Sequence, residues 1–224
     1  MVDANTKYDI VVFGASGYTG RLVAEYLQQE YANTDLKWAM AGRSLDKLAS
    51  VRTALGISES VELVSVDSDN AASVGQMVSD CKVVITTVGP YQLYGEELIK
   101  QCAQQGTDYV DLSGEPSWMH ETIAQYSAAA KASGARIVHS CGFDSIPFDL
   151  GVYCLQQHAI GQTGKPITTV KGRVRGMNGT FSGGTIASMR ATMASAQANP
   201  AIIKVLTNPF ALTEGFTGSE QPTG

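Results

Sequence analysis

The chain has 224 residues, 44% of them hydrophobic and 17% charged, so it can bury a core as one large domain or as one domain plus part of another. The net charge of −5 argues against a general nucleic-acid binder, and no apolar run approaches the roughly 18 residues of a membrane-spanning helix. The amino-terminal residues hold no apolar signal core, and the four cysteines show no metal-ligand spacing. These features predict a globular cytoplasmic protein without a metal site.

Residues 8–43 are the most informative segment, because a hydrophobic strand at 10–13 leads into a glycine-rich turn and then an amphipathic stretch. In a dinucleotide site the first glycine permits a tight turn, and the second lets backbone N–H groups approach a pyrophosphate. The third lets the following helix lie close to the strand. The spacing GxxGxxG therefore predicts cofactor contacts at Gly14, Ser16, Gly17, Tyr18, Thr19 and Gly20.

The second strand, predicted at 36–41, indicates which nucleotide is bound. An NAD-preferring site places an acidic residue near its end to bind the ribose 2′-hydroxyl. Here the strand is followed by Arg43 and Ser44 instead. The guanidinium of Arg43 suits a 2′-phosphate, and the hydroxyl of Ser44 can add a hydrogen bond, so NADP(H) is expected. The alternative is that Arg43 is solvated and that Ser44 only begins a helix.

Strands and helices continue to alternate up to about residue 140. Further strands are predicted at 61–66, 83–87, 109–112 and 137–139, with helices at about 45–55, 70–79, 96–104 and 119–134. Six apolar strands joined by helices predict an α/β fold with a parallel, doubly wound sheet of the Rossmann type. Ligands of such sheets lie outside the carboxyl ends of the strands.

The pattern changes after Gly142. Ser145 is expected to cap a helix that runs to about 157, and a linker at 161–166 precedes a strand at 167–177. A loop and a helix at 185–197 follow. We therefore divide the chain into a nucleotide-binding domain at 1–145 and part of an α+β substrate or interaction domain at 146–224. Three cations on the predicted strand either face an anionic substrate or are solvated: Lys171, Arg173 and Arg175.

The end of the fourth strand is expected to pass the cofactor, since small residues there allow close approach of the backbone. The alternative is an ordinary turn that ends a strand. The residues concerned are Thr87, Val88, Gly89, Pro90 and Tyr91.

Each candidate for a catalytic role also has a structural interpretation. Asp111, Ser113 and Glu115 follow the fifth strand, where one of them could orient substrate or relay a proton, or where they could cap the next helix. Asp144 and Ser145 border the expected substrate cleft, but they could equally form a turn and a helix cap. His139 has a suitable ordinary pKa for acid–base chemistry, yet a lone histidine on a strand is more often a hydrogen-bonded core residue.

Five segments together resemble the saccharopine dehydrogenase-like oxidoreductases, including their trans-acting enoyl reductase branch: GASGYTGRLVAEYL (14–27), AGRSLDKL (41–48), GPYQLYGEELIKQCAQQGTDYVDLSGE (89–115), HSCGFDSIPFDLG (139–151) and GTFSGGTIAS (179–188). The resemblance implies an NADP-binding Rossmann domain, a second domain on the substrate side, and hydride transfer to or from a C=C, C=O or C=N group. Enoyl reduction in lipid metabolism is the reaction it favours. It also implies that the carboxyl-terminal part of the family is missing, and whether that part is needed for activity stays open.

Two rival interpretations are kept open. A thiolate at Cys141 could form a thioester from an acyl phosphate, as in reductases that share the GASGYTG turn. Alternatively, the chain is a non-catalytic NADP-sensing module. For the main hypothesis we expect a small-molecule substrate, no nucleic-acid partner and no membrane span, and we leave a homodimer open.

Overall fold

The computed structural model describes residues 6–213 and 215–218, and its centre is one parallel sheet of six strands. The strands are β1 Tyr8–Phe13, β2 Trp38–Gly42, β3 Glu62–Ser65, β4 Cys81–Thr86, β5 Asp108–Val110 and β6 Ile137–Val138. Their spatial order is β3-β2-β1-β4-β5-β6, which confirms the predicted doubly wound sheet. The order reverses between β1 and β4, which opens a crevice at the carboxyl ends of these two strands.

Several helices begin or end at residues that can cap them. Ser44 accepts a hydrogen bond from the Lys47 amide and begins α2, and Asn70 does the same for α3. α5 and α6 end at the left-handed residues Gly106 and Gly134. The helices are α1 Tyr18–Tyr31, α2 Leu45–Ala54, α3 Ala71–Ser79, α4 Tyr91–Tyr94, α5 Glu96–Gln105, α6 Pro116–Ser133, α7 Ile146–Thr163, α8 Gly183–Ala198 and α9 Ala201–Thr207.

The core lies on both faces of the sheet because successive strand residues point to opposite sides. Val11 and Phe13 belong to one buried cluster, which α3, α5 and α6 cover. Val12 lies between them in sequence and belongs to a second cluster, which α1 and α2 cover with residues such as Ala24 and Leu48. The sheet is therefore enclosed on both sides, and its strand ends remain for a ligand.

The predicted strand at 167–177 is wrong, since this stretch has no regular secondary structure. A strand needs a neighbour to pair its N–H and C=O groups, and no other strand is described after β6. The backbone of Ile167 instead bonds to the side chain of Gln156, which both donates at 2.9 Å and accepts at 2.8 Å. The α+β character predicted for 146–224 thus lacks its strand in the described residues.

The helices of this region also differ in length from the prediction. α7 continues to Thr163 and ends at the left-handed Gly164, six residues beyond the predicted end. α8 begins two residues early, and α9 was not predicted. Among the described residues after β6, Ala159 alone is buried, and it is still 9% exposed. Within the described part of the chain, no helix is both long enough and apolar enough to cross a membrane.

Candidate functional site

The turn between β1 and α1 accepts only glycine at its first position. Gly14 has a φ of +88°, a conformation that other residues rarely adopt. A Cβ added there would lie 2.8 Å from both the Thr87 Oγ1 and the Val88 Cγ2 atoms. The backbone at the end of β1 is therefore packed directly against the residues that follow β4, at the point where the strand order reverses.

The third glycine of the motif holds α1 against this turn. A Cβ on Gly20 would overlap the Gly14 carbonyl oxygen and lie 2.8 Å from the Ala15 Cα atom. Gly17 donates its amide to that same carbonyl at 2.9 Å, so this amide closes the turn. As the N-cap residue, Gly17 has no side chain to cap the helix. The first turn of α1 thus presents N–H groups and a partial positive charge to the crevice.

A cavity of 240 Å³ lies over this turn, with the ends of β1, β2 and β4 around it. It brings together seven of the predicted cofactor residues: Gly14, Ser16, Gly17, Arg43, Thr87, Val88 and Gly89. Tyr18, Gly20, Ser44 and Pro90 do not line it. Tyr18 is 75% exposed, Gly20 is buried beneath the turn, and the Ser44 hydroxyl caps α2.

Arg43 is the cation of this cavity. It is exposed, and it has no ion-pair or hydrogen-bond partner among residues 6–213 and 215–218. None of the described residues lining the cavity is acidic. The guanidinium is therefore available to an anionic group, and no carboxylate competes for it.

Four residues that line this cavity were not among the predicted cofactor contacts: Phe13 and Gly42, which end β1 and β2, together with Ser68 and Tyr94. Ser68 follows β3, and the carboxyl ends of parallel strands share one edge of the sheet, so its position after the third predicted strand was a usable signal. Tyr94 ends the short helix α4, and its ring is 39% exposed. No local pattern indicated that this side chain turns back toward the nucleotide side.

A second cavity of 530 Å³ adjoins the first, since Thr87 and Gly89 line both. Thr19 and Tyr91 also line it, so two further predicted cofactor residues face this side. α8 contributes one wall through hydroxyl-bearing and apolar side chains: Thr185, Ser188, Met189, Thr192 and Met193.

Of the two candidates before α7, the structure brings only Asp144 to the second cavity, where it is the one carboxylate among the described lining residues. Ser145 is the N-cap of α7, but its side chain makes no capping hydrogen bond. The cations Lys171, Arg173 and Arg175 are exposed and line neither cavity.

Glu115 is buried behind the cavities, with 1% of its surface exposed. Its Oε1 atom accepts the Tyr91 amide at 2.9 Å, and its Oε2 atom accepts the Gln92 amide at 2.9 Å. The Gln92 side chain donates to Oε2 at 3.0 Å. The carboxylate thus fixes the start of α4, directly after the residues that both cavities share, and the structure gives it a positioning role.

Asp111 and His139 form a buried polar network. The Asp111 Oδ2 atom lies 2.7 Å from the His139 Nδ1 atom and accepts the Tyr109 hydroxyl at 2.8 Å. Its Oδ1 atom accepts the amides of Ser113 and Ser140. Burial, reinforced by Asp111, raises the pKa of Tyr109 well above its ordinary value. His139 lines neither cavity, so the structure favours its interpretation as a hydrogen-bonded core residue.

The thiol of Cys141 is half-buried, and burial together with the nearby Asp111 raises its pKa above the ordinary value of 9.0. A nucleophilic cysteine requires the opposite shift, because only the thiolate attacks. Cys141 also lines neither cavity. In the described part of the chain, no group of three or more His, Cys, Asp or Glu side chains is placed to hold a metal ion.

The sheet order, the glycine turn and the unpaired arginine together define a dinucleotide-binding Rossmann protein. Residues 10–138 match the family model described as the saccharopine dehydrogenase NADP binding domain. The chain belongs to this family, and the cofactor of its nucleotide site is NADP(H). The resemblance seen in the sequence is thereby confirmed.

Relatives from mycobacteria match nearly the whole chain. A Mycobacterium tuberculosis protein, whose name gives trans-acting enoyl reductase as a provisional assignment, is 43% identical over 208 residues, or 92% of this chain and 49% of its own. The trans-acting enoyl reductase of Mycobacterium ulcerans is 36% identical over 215 residues, which is 95% of this chain and 51% of the relative. The chain therefore spans about half the length of the curated relatives it matches.

Among solved structures, apo saccharopine dehydrogenase (L-Glu forming) from Saccharomyces cerevisiae superposes with a TM-score of 0.50 at 19% identity. The match covers 70% of this chain and 32% of the yeast protein. At this level of identity the likeness shows the fold alone.

Proposed function

We propose that the protein is an NADP(H)-dependent oxidoreductase that transfers a hydride to or from a C=C, C=O or C=N substrate, and that reduction of an enoyl group is the favoured reaction. The observation that carries this proposal is the pair of adjoining cavities. One contains the glycine turn and Arg43, and the other opens from it at Thr87 and Gly89. A dinucleotide laid across the strand ends would bring its reactive end to the place where the cavities meet.

In this proposal the N–H groups in the first turn of α1 bind the pyrophosphate. Gly14 and Gly17 let it approach the turn closely because they carry no side chains, while their own amides donate to the carbonyls of Ala41 and Gly14. Arg43 binds the 2′-phosphate, and Ser44, whose hydroxyl still has a proton to donate, lies next to it. Ser68 and Tyr94 complete the adenosine side of the cavity. The turn after β4 passes the nicotinamide side, where the proposed contacts are Thr87, Val88, Gly89, Pro90 and Tyr91.

The second cavity is proposed to hold the substrate. The bound nicotinamide supplies the hydride, and the protein supplies position and surroundings. Leu112, Met189 and Met193 give the cavity apolar walls, which would exclude water from an enoyl chain. Asp144 is placed to orient a polar group of the substrate there. The names of the mycobacterial relatives support an enoyl substrate.

Calorimetry tests the cofactor assignment directly. The parent should bind NADPH more tightly than NADH, and Arg43→Ala should weaken NADPH binding by about 10- to 100-fold while leaving NADH unchanged, because one charge-assisted contact is worth about 1.5–3 kcal/mol. Lys47→Ala removes a nearby cation from α2 and is the matched control, which should keep the NADPH preference. Equal affinity of the parent for both cofactors would reject the role of Arg43.

Turnover separates an enzyme from a sensor. NADPH oxidation should be measured on a protein that has the full length of the mycobacterial relatives, with a panel of enoyl thioesters, enones, aldehydes and imines. Oxidation by an enoyl compound supports the proposed reaction. Tight NADPH binding without oxidation by any member of the panel would favour the sensing module. The acyl-phosphate reductase is disfavoured because burial raises the pKa of the Cys141 thiol and because Cys141 lines neither cavity.

A cytoplasmic location is proposed as well. Cys81, Cys102, Cys141 and Cys154 are all unpaired, as in proteins of a reducing compartment. Fractionation of the source cells with an antibody to the chain tests this.

A further inference from the structure

The side chain of Gln92 joins the two parts of the molecule that form the second cavity. Its Nε2 atom donates to the buried Glu115 Oε2 at 3.0 Å and to the Thr192 Oγ1 at 3.2 Å. Its Oε1 atom accepts the Ser195 hydroxyl at 2.9 Å. Both amide protons and the carbonyl oxygen are therefore used, so the orientation of the amide is fixed by its partners.

These bonds matter for α8 because this helix has little else to hold it. None of its residues is fully buried. Thr192 and Ser195 are three positions apart and lie on one face of the helix. Thr192 also lines the second cavity, beside Met189 and Met193. The contact with Gln92 thus fixes the face of α8 that closes this cavity.

Gln92 is also connected to the nucleotide cavity through the backbone that follows β4. It follows Gly89, which lines both cavities, by three residues, and Glu115 holds its backbone amide and that of Tyr91. A shift of this turn on cofactor binding would therefore move the Gln92 amide and, through it, the α8 wall.

We propose that Gln92 is a positioning residue that sets α8 over the substrate cavity according to the state of the turn after β4. The inference rests on the proposed function, because it takes the two cavities as the nicotinamide and substrate sides of one site. Gln92 acts through α8 and Glu115, whose carboxylate anchors it.

The first arm of the test is hydrogen exchange without ligand. In Gln92→Ala the amides of residues 186–198 should exchange about tenfold faster than in the parent, while those of β1 and β4 stay unchanged. Gln76→Ala is the matched control, since Gln76 also donates to a carboxylate, that of Asp80 at 2.9 Å, but on the exposed surface of α3. It should leave α8 exchange as in the parent.

The second arm uses NADPH and reports on the nicotinamide itself. NADPH should bind Gln92→Ala within about threefold of its parent affinity, because the anchoring contacts of the nucleotide are intact. The fluorescence gain of the reduced nicotinamide on binding should fall by about half, since a displaced α8 admits water to the ring. A role in overall stability alone would leave this signal unchanged in the folded protein.

A double variant, Thr192→Val with Ser195→Ala, removes the partners on α8 and leaves Glu115 satisfied. It should reproduce the faster amide exchange of α8 and the smaller fluorescence gain of the nicotinamide. If Gln92→Ala does not fold, this double variant tests the positioning role of Gln92 in its place. Unchanged α8 exchange together with an unchanged nicotinamide signal would overturn the inference. Absence of NADPH binding by the parent would instead overturn the proposed function, and the ligand-free exchange arm would still show whether Gln92 holds α8.

Discussion

Residues 8–138 and the described residues after 145 differ sharply in how they are held together. In the first region both faces of a six-stranded sheet are covered, and residues such as Val11, Val12 and Val84 are completely buried. In the second region three helices contain one buried residue, Ala159, which is still 9% exposed. Large apolar side chains of α7 and α8 are exposed, including Tyr153 at 60% and Met193 at 60%.

The two cavities of the candidate site differ in the same way, because they draw on the two regions differently. The nucleotide cavity lies entirely on the first region, where backbone positions are determined by dense packing. The second cavity takes one wall from that rigid part and the other from α8, which polar contacts such as those of Gln92 hold in place. The nucleotide cavity is therefore preorganised, and the second cavity is free to adjust.

The largest effect on stability and on NADPH binding is expected where α1 packs most closely on the glycine turn. Gly20→Ala should lower the free energy of unfolding by about 3 kcal/mol and abolish NADPH binding, because the new methyl group would meet the Gly14 carbonyl and force α1 away from β1. Chemical denaturation and calorimetry measure the two effects.

Gly75→Ala provides the control for that variant. Gly75 lies inside α3, and an added Cβ would come no closer than 3.4 Å to the flexible end of Gln101. This change should stabilise the protein by about 0.5 kcal/mol. A Gly20→Ala protein with parent stability and parent NADPH affinity would contradict the close packing of α1 on the turn.

The contrast between the regions can be tested with one substitution made twice. Val84→Ala, in the fully buried centre of the sheet, should cost about 2 kcal/mol through lost burial and the cavity left behind. Val152→Ala, on α7 where the side chain is 42% exposed, should change stability by less than about 0.5 kcal/mol. Urea unfolding of both variants gives the comparison. Equal losses at the two positions would show that α7 is covered in solution.

The smallest effect is expected at the amino ends of the central strands β1 and β4, at the end of the sheet opposite the cavities. Lys82 lies 2.6 Å from Asp9 and lowers the pKa of its carboxyl below the ordinary value of 3.8. Because the folded-state pKa is the lower one, this contribution is fully present above 3.8 and disappears as the pH falls through the folded-state pKa. Asp9→Asn should therefore cost about 0.5 kcal/mol at neutral pH and nothing in strong acid, since the pair is partly solvated.

Unfolding measured at several pH values tests this, with Asp35→Asn as a control. Asp35 is exposed and makes no ion pair within the described chain. NADPH affinity should be unchanged in both variants, because Asp9 lies at the amino ends of the strands. A cost for Asp9→Asn that persisted in acid would exclude the ion pair as its source.

Structural features that depend on one short segment were predicted correctly from the sequence, and features that depend on distant contacts were not. The turn at Gly14 and all six strands of the sheet were predicted to within a few residues. Each follows from periodicity or from a backbone requirement within one short segment. The strand expected at 167–177 was wrong because a strand pattern forms a strand only where a partner is available, and none is described beside it.

The amino-acid sequence by itself determined the doubly wound sheet, the glycine turn and the placement of Arg43 where an NAD site would have an acid. These depend on side-chain periodicity and on backbone freedom, which short segments carry. Only the tertiary structure decided that Glu115 anchors the turn after β4 and that Gln92 reaches Thr192 and Ser195. Glu115 lies 23 residues from Gln92, and Thr192 and Ser195 lie 100 and 103 residues from it. The meeting of these residues depends on how whole elements pack, which no local pattern records.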